Sequence, residues 1–487
     1  PALCAFLRRP MDFGCGGAED VISFLSIGKK EDDAMPKPRR KAMDMTTGSP
    51  LKMIILFGIP ILIGSLFQQL YNMVDSIVVG NYVGANALAA VGSSSNVSMF
   101  LVAASSGLTT GASVVVAQLV GAQQTERIKR SISTTLIFLL VLSVVLSVAG
   151  ALLSDVFCRW LNVPDNIFED SVTYLRIYML GVVFMVLYNF FAAILRSLGD
   201  STTPLIFLII SSLLNIAGDL WFVLGLGWGV AGVAWATVLA QAVSVLLCAV
   251  YVNRRIAYFH FDRGEFCFDR PLFREILRIG VPSALQGSVM SLGFLLVQSL
   301  VNSFGSAHIA AYTVAGKMEQ MAHLPVDSFA MGYSVFAGQN MGAGNIERTK
   351  DGMKKTFFFT AGICIVLAVI LCSVGDKLVE LFVDDSETEV IEYGFAFLRA
   401  FAPFTVIFAA MNAINGTLRG AGDSFFSMIS MMCDLGGRVI AAYIYCSFES
   451  IGFLGIAYSI PTGWVLATIV AFLRYRSGRW QSKTVQL

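Results

Sequence analysis

The chain has 487 residues, of which 56% are hydrophobic and 14% are charged, and its formal net charge is +1. Soluble globular proteins carry about 25% charged residues, so this composition excludes an ordinary soluble domain and indicates an integral membrane protein. The near-neutral charge provides no basic field of the kind that attracts nucleic acid, and we expect no nucleic-acid partner.

Residues 1–45 form the first predicted segment. Their longest apolar stretch, around residues 21–27, is far too short to span a bilayer, which needs about 20 residues. The segment also lacks the layout of a signal peptide. We expect either a disordered, dispensable cytoplasmic tail or a natural start of the chain at Met43 or Met45.

Twelve apolar stretches long enough to span a bilayer follow in chain order. They lie at about 53–80, 86–118, 132–153, 172–195, 203–225, 230–253, 275–303, 308–340, 356–375, 391–417, 425–447 and 453–474. Lys and Arg concentrate in the connections 119–131, 254–274 and 342–355 and in the C-terminal tail, whereas residues 376–392 are strongly acidic. Because cytoplasmic loops are the basic ones, we expect both termini in the cytoplasm and the protein in the plasma (inner) membrane.

The chain also repeats itself at an offset of about 222 residues. QLVGAQQTER (118–127) resembles QNMGAGNIER (339–348), and LRSLGDS (195–201) resembles LRGAGDS (418–424). Two six-helix copies of the same orientation are related by a pseudo-twofold axis along the membrane normal, as in parallel-repeat transporters. We therefore predict an all-α integral membrane protein with twelve transmembrane helices in two six-helix lobes, at 46–254 and 275–475. A basic linker at 255–274 joins them, and 476–487 form a second cytoplasmic tail.

A stripe of polar residues runs along the first helix of the first lobe. Gln68, Tyr71, Asn72 and Asp75, in QQLYNMVDS, are spaced so that one helical face carries all four. Charged groups inside spans are costly and indicate function. The stripe makes Gln68, Tyr71 and Asn72 candidate cavity-lining residues.

Three further polar residues of the first lobe lie at the depth of Asp75. They are Asn215 and Asp219, four residues apart on helix 5, and Thr237 on helix 6. Two carboxylates in a dry pocket cannot both stay ionised cheaply, so such a group would hold a proton or a small hard cation such as sodium. Depth alone leaves open the alternative that each Asp pairs locally with a hydroxyl group or water.

The second lobe carries its own charged residues. Glu319, His323 and Asp327 are four apart on one face of helix 8, which fits a proton relay, a substrate-facing acid or a structural network near Pro325. Asp434 and Arg438, four apart on helix 11, favour a local ion pair.

The stretch PILIGSLFQQLYNMVDSIVVGNYVGANALAAVG resembles the first helix of the multidrug and toxic compound extrusion (MATE) family. LLNIAGD and GVAGVAWAT resemble its fifth and sixth helices, and the likeness covers about residues 46–475. The resemblance implies that Asp75, Asn215, Asp219 and Thr237 form the cation or proton site. It also implies that the first helix bends at Pro60. Helices 7 and 10 lack the acids of the sodium-binding second lobe, which indicates the DinF-like branch.

We therefore expect a secondary active antiporter that exports organic cations or amphiphilic drugs in exchange for protons or sodium by alternating access. It would act as a monomer in the lipid bilayer, with no cofactor and with no metal beyond a coupling sodium ion. The alternative is a flippase for lipid-linked or polysaccharide precursors, which the acidic first-lobe residues disfavour. A membrane enzyme is the third class, but the sequence contains no P-loop, HExxH motif or nucleophile elbow.

Overall fold

A computed structural model of the protein describes residues 43–261, 265–383 and 387–484. This described part is helical almost throughout and contains no β-strand. Its fourteen α-helices are α1 (Pro50–Val78), α2 (Ala85–Gly121), α3 (Thr125–Leu152), α4 (Ser154–Trp160), α5 (Asp165–Ser197), α6 (Thr202–Leu220), α7 (Gly229–Arg255), α8 (Arg270–Asn302), α9 (Ser306–Gly342), α10 (Ile346–Glu380), α11 (Thr388–Phe401), α12 (Thr405–Gly420), α13 (Ser424–Cys446) and α14 (Leu454–Arg476).

Twelve of these units cross the membrane. Ten helical segments of the described part are long and apolar enough to do so, with α11 and α12 counted as one. The helices α2 and α9, with 37 residues each, are the equivalent helices of the two sequence repeats and complete the twelve. The short helix α4 has only seven residues and cannot span a bilayer. The prediction of an all-α membrane protein with twelve transmembrane helices is confirmed.

The predicted span 391–417 is interrupted in the structure. Helix α11 ends at Phe401, a 3₁₀ turn covers Ala402–Phe404, and α12 begins at Thr405. Pro403 lies in that turn, and proline breaks a helix because it lacks a backbone N–H and clashes with the preceding turn. Helices α3 and α10 begin several residues before their predicted starts because their polar first turns are also helical, and hydropathy marks only the apolar part of a helix.

The helices form two lobes in chain order, α1–α7 and α8–α14. Leu175 and Met179 of α5 lie in the apolar core of the first lobe, and Phe397 and Trp464 lie in that of the second. The first half of α8 also packs on the first core through Ile276. Each lobe therefore has a core of its own, and α8 joins the two.

The lobes meet at the end of the bundle that carries the basic stretches 119–131 and 342–355, which we call the basic end; the acidic end is opposite. The Gln118 side-chain amide of α2 donates to the Gly420 carbonyl oxygen of the second lobe (2.8 Å). The Gln339 amide of α9 donates to the Ser197 carbonyl oxygen of the first lobe (3.0 Å). Both partners match through the sequence repeat, so the two hydrogen bonds are related by the pseudo-twofold axis.

Two glycines bring the backbones of α2 and α9 together at the same place. Gly121 lies against the backbone of Gln339, and Gly342 lies against the backbone of Gln118. A Cβ atom at either glycine would overlap the facing carbonyl group, so only glycine permits this approach. The basic end is therefore closed by direct backbone packing between the lobes.

The segment 43–48 also crosses between the lobes at the basic end. The Met43 N–H donates to the Gly199 carbonyl oxygen of the first lobe (3.2 Å). The Asn340 amide and the Arg348 guanidinium of the second lobe donate to the Met45 carbonyl oxygen at 3.0 and 3.2 Å. Met45 is fully buried. Packed structure thus begins before residue 46, where the first lobe was predicted to start; residues 1–42 of the predicted tail lie outside the described residues.

Candidate functional site

The first lobe encloses a cavity of about 690 Å³, which we call the first-lobe cavity. Helices α1, α2, α5, α6 and α7 form its wall, and Met331 of α9 contributes from the second lobe. It extends from Asp75, near the acidic end, to Arg196, near the closed basic end. Sites for drug-sized ligands measure about 300–1,000 Å³, so this cavity has room for one such molecule.

The polar stripe of α1 lies on the wall of this cavity. Gln68, Tyr71, Asn72 and Asp75 all line it, so their common face is turned away from lipid. Pro60, fifteen residues before Asp75, lines the same cavity, and α1 stays helical through it. Because proline cannot donate a backbone hydrogen bond, α1 is weakened at that point.

The carboxyl groups of Asp75 and Asp219 lie within hydrogen-bonding reach of each other. We call them the carboxyl pair. Asp75 is on the cavity wall, whereas Asp219 is fully buried behind it. Within residues 43–261, 265–383 and 387–484, no basic side chain forms a salt bridge with either of them. The pair is therefore not neutralised by the described part of the chain.

Asn215 and Thr237 connect the carboxyl pair to helices α6 and α7. The Asn215 Nδ2 donates to Asp219 Oδ2 (3.1 Å), and its oxygen accepts from the Thr237 hydroxyl (3.2 Å), in the amide orientation that satisfies both groups. The Tyr71 side chain lies next to Thr237 and close to both acids. The structure thus brings the four residues proposed for the cation or proton site into one place, with Tyr71 as a fifth member.

Both helices that carry the carboxyl pair end in a π-helical turn. Helix α1 passes into the turn Val79–Val83, and α6 passes into the turn Trp221–Gly225. The Gly84 N–H donates to the Val79 carbonyl oxygen, five residues earlier (3.0 Å), which is the hydrogen-bond register of a π-helix. Such turns occur frequently at functional sites, and here they place irregular backbone next to the buried acids.

Among the cavity residues that were not predicted from the sequence are Tyr174, Tyr178 and Arg196. The rings of Tyr174 and Tyr178 are stacked with centroids 6.0 Å apart, and Tyr174 interacts electrostatically with both acids. Their spacing of four residues on an apolar helix was a usable signal. Arg196 lies in the repeated motif LRSLGDS, next to a basic connection where Arg is expected in any case.

In the second lobe, Arg438 lies between two acids. Its guanidinium is 3.6 Å from Glu319 of α9 and 4.0 Å from Asp434 on its own helix, α13. The predicted pairing of Asp434 with Arg438 is present, and Glu319 joins it. The buried acids of the second lobe therefore have a cationic partner within the protein, unlike the carboxyl pair of the first lobe.

The other two residues of the predicted relay make separate contacts. The His323 ring stacks on Phe408 with centroids 4.0 Å apart, while Asp327 is exposed and lies near Arg419. Within the described chain, no hydrogen bond links Glu319, His323 and Asp327 to one another. The proton relay stays a prediction, because its three members are not joined by hydrogen bonds in this conformation.

A bundle of twelve spans around a drug-sized polar cavity defines a membrane transporter. The sequence matches the model of the MatE family over residues 60–221 and 282–444, one segment in each lobe. The chain belongs to this family of multidrug efflux transporters and is not an enzyme. The MATE resemblance seen in the sequence is confirmed.

Proteins of known name are similar to the chain over nearly its whole length. The probable multidrug resistance protein YpnP of Bacillus subtilis (strain 168) is 29% identical over 448 residues, which cover 91% of this chain and 98% of that protein. The probable multidrug resistance protein NorM of Thermotoga maritima is 25% identical over 447 residues, 89% of this chain and 94% of that one. A solved outward-facing MATE family transporter of the MOP superfamily matches with a TM-score of 0.85 at 27% identity, covering 91% of this chain and 99% of that one.

Proposed function

We propose that this protein is a secondary active antiporter that exports organic cations or amphiphilic drugs in exchange for protons or sodium ions by alternating access. The carboxyl pair carries this proposal: two acids within hydrogen-bonding reach, without a basic partner in the described chain, on the wall of a drug-sized cavity. The names of the similar proteins support small-molecule drugs as the substrate class.

The chemistry of the carboxyl pair explains why it would take up an ion. Two carboxylates at close range in a poorly hydrated wall repel each other, and each has lost most of its water. A shared proton relieves both costs. A sodium ion would do the same, with the oxygens of Asn215, Thr237 and Tyr71 as additional ligands of the kind that hard cations prefer. In either case the wall changes charge when the ion binds.

The position of Asp75 on α1 links this charge change to movement. Ion binding removes the repulsion that separates α1 from α6 at the carboxyl pair. Helix α1 then bends at Pro60, where its hydrogen-bond ladder is interrupted, and narrows the first-lobe cavity from the side. A bound drug is displaced as the cavity shrinks. No cofactor is needed in this cycle.

The second lobe supports coupling through the first. Arg438 already pairs with Glu319 and Asp434, so their charge is balanced without an external ion. This arrangement agrees with the assignment to the DinF-like branch. The basic connections support a protein of a bacterial-type plasma membrane with the closed basic end and both termini on the cytoplasmic side. A single chain encloses the cavity, which supports a monomer.

The test is accumulation of a fluorescent cationic dye in everted membrane vesicles, with pH and sodium gradients imposed separately. The proposal predicts dye accumulation that depends on one of the two gradients and is lost in Asp219→Asn. Accumulation that needs neither gradient, or that is unchanged in a well-inserted Asp219→Asn protein, would show that this protein is not an antiporter coupled at this site.

A further inference from the structure

Arg196 lies at the end of the first-lobe cavity opposite to the carboxyl pair. It occupies the last turn of α5 and lines the cavity, and the carbonyl group of the next residue, Ser197, accepts the interlobe hydrogen bond from Gln339. Tyr174, beside the carboxyl pair, lies twenty-two residues earlier on the same helix, a distance of about 33 Å at 1.5 Å per residue. Arg196 therefore lies on the floor of the cavity, far from the proposed coupling ion.

The charge of Arg196 is not balanced by the described part of the chain. Across residues 43–261, 265–383 and 387–484, no acidic side chain forms an ion pair with it, and its guanidinium group forms no hydrogen bond. The hydroxyl group of the neighbouring Tyr188 donates to the Pro204 carbonyl oxygen (3.1 Å) and so is already engaged. An arginine without an acidic partner in the wall of a helical bundle is costly, and those that persist face a cavity and serve binding.

In the second lobe, the arginine at the corresponding position has an acidic side chain near it. Through the repeat LRSLGDS and LRGAGDS, Arg196 corresponds to Arg419, and Arg419 interacts electrostatically with Asp327 of α9. The residue of α2 that corresponds to Asp327 is Ser106, which also lines the first-lobe cavity. The first lobe thus has a hydroxyl group where the second lobe has a carboxylate.

The position of Arg196 at the C-terminus of a helix does not by itself explain why its charge faces the cavity. A cation in the last turn interacts favourably with the carbonyl end of a helix, and Arg419 has the same position on α12. Arg419 nevertheless has Asp327 near it. The unbalanced guanidinium in the cavity is therefore a feature of the first lobe rather than a general consequence of helix termination.

We propose that Arg196 binds an anionic group, a carboxylate, on the transported amphiphile and anchors it at the floor of the first-lobe cavity. The planar guanidinium fits a carboxylate through two parallel hydrogen bonds. The surrounding wall of Pro204, Leu205 and Met331 would contact the apolar body of the ligand. This inference rests on the proposed export function and adds a substrate class to it, amphiphiles that carry an acidic group.

The separation of Arg196 from the carboxyl pair makes the two roles independent. A compact drug-sized molecule cannot reach both ends of a cavity that extends about 33 Å along α5. Loss of Arg196 should change which ligands bind but leave ion coupling in place. Loss of Asp219 should stop coupled transport of every substrate.

The test uses two dyes that differ in one group: rhodamine B, which has a free carboxylate, and its ethyl ester, which has none. Their affinities for the purified full-length protein are measured by fluorescence anisotropy. A hydrogen-bonded charged contact is worth enough that Arg196→Gln should weaken binding of the acid dye by roughly 10- to 100-fold. Binding of the ester should change by less than about threefold, and Arg196→Lys should retain part of the preference for the acid.

Arg419→Gln is the matched control, because it removes the corresponding residue of the second lobe, and it should not alter the ratio of the two affinities. Ester binding reports that each variant is folded. The assignment would be overturned if Arg196→Gln lost affinity for both dyes equally or for neither. It would also be overturned if the unmodified protein did not bind the acid dye. Dye accumulation in vesicles separates this result from the export proposal, since Arg196→Gln should still accumulate the ester when a gradient is imposed.

Discussion

Gln339 should control how firmly the basic end stays closed. Its side-chain nitrogen donates to the Ser197 carbonyl oxygen of the first lobe, and its oxygen accepts from the Met45 N–H. Gln339→Ala removes both hydrogen bonds and leaves two buried backbone groups without these partners. At about 1–2 kcal/mol for each, the closed state loses about 2–4 kcal/mol. The ratio of closed to open molecules should then fall roughly 30- to 700-fold.

Double electron–electron resonance measures this population directly. Spin labels on Ala122→Cys and Ala343→Cys, in a background without the native cysteines, report the distance between the lobes at the basic end. The unmodified protein should give one short distance, and Gln339→Ala should add a longer one. Gln298→Ala is the control, because Gln298 hydrogen-bonds within its own helix to Asn302. An unchanged distance distribution in Gln339→Ala would refute the role of this contact in closure.

Three further variants test other parts of the account. Pro60→Ala should reduce drug efflux severalfold, because the substitution removes the weak point of α1, while ion binding to the detergent-solubilised protein is retained. Unchanged efflux would exclude bending of α1 at Pro60. Gly342→Ala should prevent closure of the basic end in the same resonance experiment, whereas Gly362→Ala, where a Cβ meets no atom within 4 Å, should not; closure in both would contradict the packing argument. Arg438→Met should lower stability by about 3–5 kcal/mol in thermal unfolding, because it leaves two buried acids unpaired, and wild-type stability would show that the ion pair is dispensable.

Most of the fold could be predicted from hydropathy and loop charge. The thickness of the bilayer fixes the length of a span, and the alternation of basic and acidic connections fixes the number of spans. The break at Pro403 was missed because its flanking residues are apolar on both sides, and hydropathy does not distinguish a broken helix from a continuous one. The reciprocal contacts of Gln118 and Gln339 depend on how two distant helices pack, which no local pattern contains.

The candidate site, too, could be predicted only in part from the sequence. The stripe ending at Asp75 and the spacing of Asn215 and Asp219 are properties of single helices, so they could be recognised from the sequence. That Asp75 and Asp219 approach each other depends on the packing of α1 against α6, for which equal depth is a necessary but not a sufficient condition. Arg196 was missed because an arginine at the start of a basic connection has an ordinary explanation, and only the cavity gives it another.

The central claim is that Asp75 and Asp219 act as one ion-binding unit that drives export. A double-mutant cycle tests it: gradient-driven efflux of a cationic dye is measured for Asp75→Asn, Asp219→Asn and the double variant, each checked for normal expression and thermal stability. If the pair works as a unit, either single change removes coupling and the double variant loses no more than the stronger single variant. Losses that multiply, so that each single variant keeps part of the coupling and the double variant shows the product, would show that the two acids serve separate sites.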